Sequence, residues 1–131
     1  MKAVFRGLAA VITMAVMGCE TLSPKSTEEV VGARAMAQAE ALRTGDYDLA
    51  LSFMTPSYQA SPRARDYQRQ RAGSGGWQNI ELKWVRCDNE QARCEVRLLI
   101  YALRPPALTT PYPIPLDDTW IKINGKWYQY E

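Results

Sequence analysis

The sequence predicts an α+β domain in which helices come first and an antiparallel sheet follows. In the first half, apolar side chains recur about once per helical turn, which is typical of helices packed on a core. From Trp77 the apolar and polar residues alternate, which is the period of a strand. Asn124-Gly125 separates two such runs and is a strong signal for a two-residue hairpin turn. This order predicts N-terminal helices packed on one face of a curved antiparallel sheet.

The helices have recognisable start and stop signals. Ser26 or Thr27 is placed to cap the first helix, because a hydroxyl oxygen can accept from free backbone N–H groups. Gly45 is expected to end that helix and Asp46 to cap a second one, which ends before Pro56. The two helices are expected to pack against each other.

A third helix is predicted over residues 63–71, and the glycines of residues 73–76 then break the chain. Strands are predicted over residues 77–88, 93–103, 116–123 and 126–130. The segment between the second and third strands is rich in proline, so we expect a long, stiff loop there. Asp117 and Asp118 are expected to lie in solvent.

Cys87 and Cys94 are seven positions apart in the strand region, and we predict that they form a disulfide. Free thiols are the alternative. A zinc site would need further ligands, and the sequence contains no His. Pairing the cysteines places Arg86 opposite Glu95. A four-residue loop, residues 89–92, would make the cysteines a non-hydrogen-bonded pair, in which opposed side chains approach most closely.

The same register assigns the faces of the first two strands. Five residues are expected to face the helices: Ile80, Leu82, Trp84, Leu99 and Tyr101. Four others would then form an apolar outer face: Val85, Val96, Leu98 and Ile100. The proline-rich loop would cover such a face, or it would serve as a contact surface for a homodimer. Plain core packing is an equal alternative.

The N-terminus has the organisation of an export signal. Lys2 and Arg6 precede an apolar run over residues 7–17, which is too short to cross a hydrocarbon core of about 30 Å. The run ends in Val16-Met17-Gly18-Cys19, which resembles the lipobox of bacterial lipoproteins. The resemblance implies cleavage before Cys19, a diacylglycerol on its sulfur and acylation, as by palmitate, of the new amino group. An ordinary signal peptide, or a buried helix with an incidental cysteine, is the alternative.

Three parts of the chain follow from that resemblance. Residues 1–18 would be the signal peptide, residues 19–25 the lipidated Cys19 and its tether, and residues 26–131 the folded domain. The tether would keep the domain within about 25 Å of the bilayer. Glu20 after the cysteine weakly favours the periplasmic leaflet of the outer membrane. Loss of Lys2 and Arg6 would leave 14 basic and 14 acidic residues, which gives no argument for a nucleic-acid partner.

The folded part also resembles a known superfamily. The segment Ala41-Leu42-Arg43-Thr44-Gly45-Asp46-Tyr47-Asp48-Leu49-Ala50 looks like the helix-break-helix that opens NTF2-like (cystatin-like) domains. Pro56-Ser57-Tyr58 and a final Trp127-Tyr128 strand continue the likeness, which covers most of residues 26–131. It implies a cone, in which a bent sheet of four to six strands wraps the helices and a pocket opens at the wide end. Such domains often dimerise through the sheet, and the fold alone does not decide function.

Few residues carry the signature of catalysis. With no His in the chain, the commonest general base near neutral pH is missing. Asp46 is explained as a cap, and Asp66-Tyr67 is the acid–phenol pair that we could place near a pocket. Side chains one apart on a helix do not face each other, so the pair is weak as a catalytic unit. No metal site and no cofactor are expected.

The third predicted helix is basic, through Arg63, Arg65, Arg69 and Arg71. These side chains would bind anionic lipid headgroups or an acidic partner, or they would form an ordinary solvated face; the neutral mature charge favours the ordinary face. Our leading hypothesis is a lipid-anchored, non-catalytic binding or envelope-assembly accessory that contacts an unidentified envelope protein. The alternative is a pocket enzyme of isomerase or cyclase type, and a purely structural role comes third.

Overall fold

The computed structural model describes residues 23–102 and 110–131, and the predictions for Cys19, the signal peptide and residues 103–109 lie outside these ranges. The described helices precede the sheet. They are α1 (Thr27–Thr44), α2 (Tyr47–Ser52), α3 (Pro56–Gln59) and α4 (Tyr67–Gln70), with 3-10 segments at Pro62–Asp66 and Ala72–Gly76. The strands are β1 (Trp77–Asp88), β2 (Arg93–Ala102), β3 (Tyr112–Ile123) and β4 (Lys126–Tyr130). They form a four-stranded antiparallel sheet in the order β1-β2-β3-β4, so the α+β prediction is confirmed.

The first two helices begin and end where their signals predict. The Ser26 hydroxyl oxygen accepts from the Glu29 N–H at 3.2 Å, and Gly45 ends α1 in the left-handed conformation, with φ 79°. The Asp46 carboxylate accepts from the Leu49 N–H at 3.2 Å and caps α2. Each cap satisfies helix-terminal groups that have no partner within the helix.

The single third helix was predicted wrongly. Residues 62–76 form the 3-10 segment Pro62–Asp66, the four-residue α4 and the 3-10 segment Ala72–Gly76. Between residues 62 and 71 only Tyr67 is buried. A continuous helix would therefore gain little from packing, which is where most helix stability comes from.

β3 begins at Tyr112, four residues before its predicted start at residue 116. Pro113 and Pro115, which were predicted to lie in the loop, pair with β2 residues Tyr101 and Leu99. β4 pairs only with residues 119–123, so the first half of β3 has a strand on one side alone among the described residues. Such an edge tolerates proline, because a missing N–H there breaks no ladder bond.

The predicted register holds at the tip of the first hairpin. Cys87 pairs with Cys94 and Arg86 with Glu95, around a loop of residues 89–92. The two cysteines form the disulfide, with their Cα atoms 4.0 Å apart, as expected for a non-hydrogen-bonded pair.

The predicted faces of β1 and β2 were partly wrong, because β1 contains a bulge between Leu82 and Trp84. The extra residue shifts the register, so that Leu82 pairs with Leu98 instead of Leu99. A shift of one residue exchanges the two faces of a strand. Val96, Leu98 and Ile100 are therefore buried against the helices, and Val85 packs partly buried against the same core. Trp84, Leu99 and Tyr101 share the outer face with charged residues such as Arg97, so the premise for an apolar dimer surface is lost.

The main core lies between α1 and the inner face of the sheet. Buried α1 residues Val31, Ala35 and Ala39 pack with the inner residues of β1 and β2 and with Trp120 and Trp127. A second cluster joins the C-terminal end of α1 to the short helices. Its members are Ala41, Leu42, Ala50, Met54, Tyr58 and Tyr67. A cavity is lined by residues of both clusters, among them Ala39 and Leu98 of the first and Leu42 of the second.

Candidate functional site

A cavity of about 350 Å³ lies between α1, the 3-10 segment Ala72–Gly76 and the inner faces of β2 and β3. Its volume is within the range of small-molecule sites, which begins at roughly 300 Å³. Much of the wall is apolar, including Leu42, Trp77, Leu98 and Leu116. The polar lining residues are Gln38, Gln70, Arg71, Ser74, Asp118 and Gln129. An apolar wall with a few polar groups is the usual composition of a ligand site.

β3 places one carboxylate in this wall. Its alternate residues Tyr112, Ile114, Leu116 and Asp118 all line the cavity, because side chains two apart share a face of a strand. The next residue on that face is the fully buried Trp120. Asp118 therefore lies at the buried end of a row that is apolar apart from the Tyr112 hydroxyl.

The prediction that Asp117 and Asp118 both lie in solvent is wrong for Asp118. Only Asp117 does, on the outer face, where its carboxylate accepts from Arg97 at 2.6 Å. Asp118 is partly buried and accepts one hydrogen bond, from the Gln129 side-chain nitrogen at 2.9 Å. Burial raises its pKa from 3.8 to about 6; the Arg71 charge opposes that shift, and the charges of Glu131 and Asp117 add to it. The alternation of Leu116, Asp118 and Trp120 is the sequence signal that could have identified this residue.

Arg71 provides the cationic group of the cavity. One of its terminal nitrogens donates to the Glu131 carboxylate at 2.5 Å, and its guanidinium lies 5.3 Å from the centre of the Tyr67 ring. Its Nε is buried and has no acceptor among the described residues. The positive charge is therefore matched by Glu131, while one donor remains unfilled.

Two further polar residues of the wall are occupied by the protein itself. The buried Gln38 amide donates to the Ala50 carbonyl at 3.4 Å and to the Tyr67 hydroxyl at 3.5 Å. The Ser74 hydroxyl donates to the Leu42 carbonyl at 2.7 Å. These bonds join the helices behind the cavity. Compared with Gln38 and Ser74, Asp118 and Arg71 keep more hydrogen-bonding atoms that could contact a ligand.

The sequence placed the acid–phenol pair near a pocket. In the structure Asp66 lies at the surface and pairs with Arg69 at 2.9 Å. Tyr67 is buried in the second core cluster, where burial raises the pKa of its hydroxyl. Neither residue is among those that line the cavity. Asp66 and Tyr67 thus lie on different sides of the chain, as expected for consecutive residues in a helical segment.

The four arginines of the predicted basic helix do not share one environment. Arg63 and Arg71 both approach the carboxylate of Glu131, at 3.5 Å and 2.5 Å. Arg69 pairs with Asp66, and Arg65 is exposed. Only Arg71 lines the cavity. Two acidic residues thus offset much of the positive charge of this segment.

Within residues 23–102 and 110–131, no three His, Cys, Asp or Glu residues are grouped so that they could hold a metal ion. None of the helices in this part of the chain has the length and hydropathy of a membrane span.

Comparison with solved structures finds proteins of similar fold, two of which carry NTF2 in their descriptions. A protein described as an NTF2-like transpeptidase from Campylobacter jejuni matches 74% of this chain and 94% of its own, with 14% identity and a TM-score of 0.58. A designed NTF2 protein matches with 19% identity and a TM-score of 0.53, over 74% of this chain and 90% of its own. A SEC-C motif protein from Rhodopseudomonas palustris matches with 16% identity and a TM-score of 0.60, over 76% and 73%. No protein-family model and no curated protein matches the chain. At these identities the likeness shows the fold alone.

Proposed function

We propose that this protein is a lipid-anchored lipoprotein of the bacterial envelope whose NTF2-like domain binds a small molecule in its cavity without transforming it. The observation that carries the binding role is the cavity of about 350 Å³, in which Asp118 and Arg71 stand in a largely apolar wall. Such a site fixes the orientation of a ligand through a few polar groups and gains affinity from apolar burial. An accessory role at the envelope follows from this binding and from the proposed anchor.

The anchor is supported by the sequence alone. Lys2, Arg6 and the apolar run lead into Val16-Met17-Gly18-Cys19, in the order that a lipoprotein signal has. Two or three acyl chains are needed for stable anchoring, because one chain holds only marginally. We place the protein in the outer membrane, facing the periplasm, where a short tether would keep its domain close to envelope partners.

The binding role can be tested by filling the cavity. Ala102 lines the cavity near the end of β2, so Ala102→Trp should block it. Leu99→Trp is the matched control, since Leu99 lies on the outer face of the same strand. Small molecules that bind the full chain in detergent, detected by ligand-observed NMR, should lose binding to Ala102→Trp and keep it with Leu99→Trp. Binding that survives in Ala102→Trp would refute the cavity as the site.

The anchor needs a separate experiment. Mass spectrometry of the mature N-terminus from membranes should find Cys19 as the first residue, with a diacylglycerol and an acyl chain. Cys19→Ser should leave the protein unprocessed and unlipidated. An unmodified Cys19, or cleavage at another position, would exclude the lipoprotein assignment.

A pocket enzyme is the second candidate, and one observation favours it. Asp118 has a pKa of about 6, which suits a general base near neutral pH. An isomerase of this kind would remove a proton next to a carbonyl, so it should exchange that proton for deuterium in a bound ketone. Asp118→Asn should reduce such exchange at least about 100-fold. Exchange no faster than in buffer would leave the binding role as the better account.

A further inference from the structure

We infer that the cavity binds a protonated amine with an apolar body, whose ammonium group pairs with the Asp118 carboxylate. This inference rests on the proposed binding function. The inference concerns the charge of the ligand, which the presence of a cavity does not decide. It follows from three observations: how the charges in the wall are matched, how Asp118 is bonded and what surrounds it.

The charged residues of the wall are Arg71 and Asp118, and no ion pair joins the two among the described residues. Arg71 donates to Glu131 at 2.5 Å, and Arg63 approaches the same carboxylate at 3.5 Å. Among the described residues, the hydrogen-bond donor to Asp118 is the neutral Gln129 amide. The ammonium group of a ligand would therefore give Asp118 a direct ionic partner, which it lacks among the described residues.

The carboxylate of Asp118 also has acceptor capacity to spare. An ionised carboxyl group offers about four lone-pair sites, and the bond from Gln129 uses one of them. An ammonium group has three donors and no acceptor, so it complements this arrangement. Hydrogen bonds between charged partners are about twice as strong as neutral ones.

The rest of the wall fits an apolar body. Leu116 and Ile114 precede Asp118 on the same face of β3, and Leu98 lies opposite Leu116 on β2. At the other end of the cavity, Ala102 on β2 pairs with Trp77 on β1 and with Tyr112 on β3. An aliphatic or aromatic chain can lie along this row while its amine reaches Asp118.

An anionic ligand fits less well. It would lie near the Asp118 carboxylate and near Glu131, which already accepts from Arg71. The Arg71 Nε–H, which has no acceptor among the described residues, can donate to a neutral oxygen of the ligand, such as a hydroxyl. That contact adds to the amine and does not replace it.

The charged groups around Asp118 also determine how the binding of an amine depends on pH. The charged groups that act on Asp118 are Arg71, Glu131 and Asp117, while α1 and β4 contribute the neutral amides Gln38 and Gln129 to the wall. Because burial raises the pKa of Asp118 to about 6, the carboxyl is mostly ionised at pH 7.5 and mostly protonated at pH 5. Binding of an amine should therefore weaken about tenfold between these two values.

The test compares three probes of similar shape on the full chain in detergent, by isothermal titration calorimetry: 2-phenylethylamine, 2-phenylethanol and 3-phenylpropanoate. At pH 7.5 the amine should bind about tenfold more tightly than the alcohol. The preference should disappear in Asp118→Asn, which keeps the acceptor oxygen for Gln129, and should persist in the neighbouring control Asp117→Asn. With the wild-type chain, the amine affinity should fall about tenfold at pH 5.

The outcomes separate this inference from the proposed function. Tighter binding of the alcohol or the carboxylate would overturn the amine assignment and leave the cavity as a binding site. An amine preference that persists in Asp118→Asn, or that does not weaken at pH 5, would also overturn it. Binding of none of the three probes would count against the amine site and against the binding function itself.

Discussion

Asp118→Asn should stabilise the folded protein at neutral and alkaline pH. The substitution keeps the shape of the side chain and the oxygen that accepts from the Gln129 amide at 2.9 Å. It removes a negative charge that the fold holds among Leu116, Val96 and Trp120 on the inner face of the sheet. Removing a charge from such a site relieves the cost of taking it out of water.

The pKa of Asp118 gives the size and the sign of the effect. An aspartate carboxyl has a pKa of 3.8 when free, and burial raises it to about 6 in the folded domain. A difference of about two pH units corresponds to about 3 kcal/mol. Because the folded state binds the proton more tightly, this contribution to stability is fully present below pH 3.8 and is lost as the pH rises through 6.

The measurement is urea unfolding of wild type and Asp118→Asn between pH 4 and pH 8. The variant should be more stable by about 3 kcal/mol at pH 8, and the difference should approach zero at pH 4. Asp117→Asn is the matched control: its carboxylate is exposed and pairs with Arg97, so its loss should change stability little. An Asp118→Asn variant that is no more stable at pH 8, or whose advantage is the same at pH 4, would refute the electrostatic account of this site.

Three further predictions test the fold and the site. Leu98→Ala should lower the free energy of unfolding by about 2–5 kcal/mol, and Leu99→Ala on the outer face should cost less than about 1 kcal/mol; equal losses would contradict the assignment of the two faces. Reducing the Cys87–Cys94 disulfide should cost about 2 kcal/mol in urea unfolding, because the ring that it closes is short; an unchanged stability would contradict this. Glu131→Gln should lower the pH at which Asp118 titrates in an NMR titration, because the Glu131 charge raises the pKa of Asp118; a rise would contradict the charge arrangement.

Local signals in the sequence were sufficient for much of the fold. The caps at Ser26 and Asp46 and the end of α1 at Gly45 depend on groups within one or two turns, and the structure places all three as predicted. The four-residue loop and the pairing of Cys87 with Cys94 likewise follow from geometry within one hairpin. Such features need no knowledge of how distant elements pack.

The errors arose where a single residue changed a pattern. The bulge between Leu82 and Trp84 exchanged the faces of the rest of the hairpin, and the alternation of side chains alone does not reveal an inserted residue. The proline content predicts a loop at Pro113 and Pro115, yet both lie in β3, where an edge without a paired strand accommodates them. Asp118 lies within the predicted third strand, on the same face as Leu116 and Trp120, so the alternation of this strand identifies it as an inner residue.

Asp118 costs stability that an amide of the same shape would avoid, and this cost bears on what the cavity does. A filled core would gain nothing from a carboxylate between Leu116 and Trp120, since burying a charge without a cationic partner is unfavourable. Arg71, the nearby cation, is held by Glu131, and the partner of Asp118 is a neutral amide. The Arg71 charge acts on Asp118 without an ion-pair contact, so the carboxylate keeps acceptor sites that an ammonium group could fill. An incoming ammonium group would recover the cost of desolvation as binding energy, so the same residue that weakens the fold at neutral pH would give the cavity its selectivity.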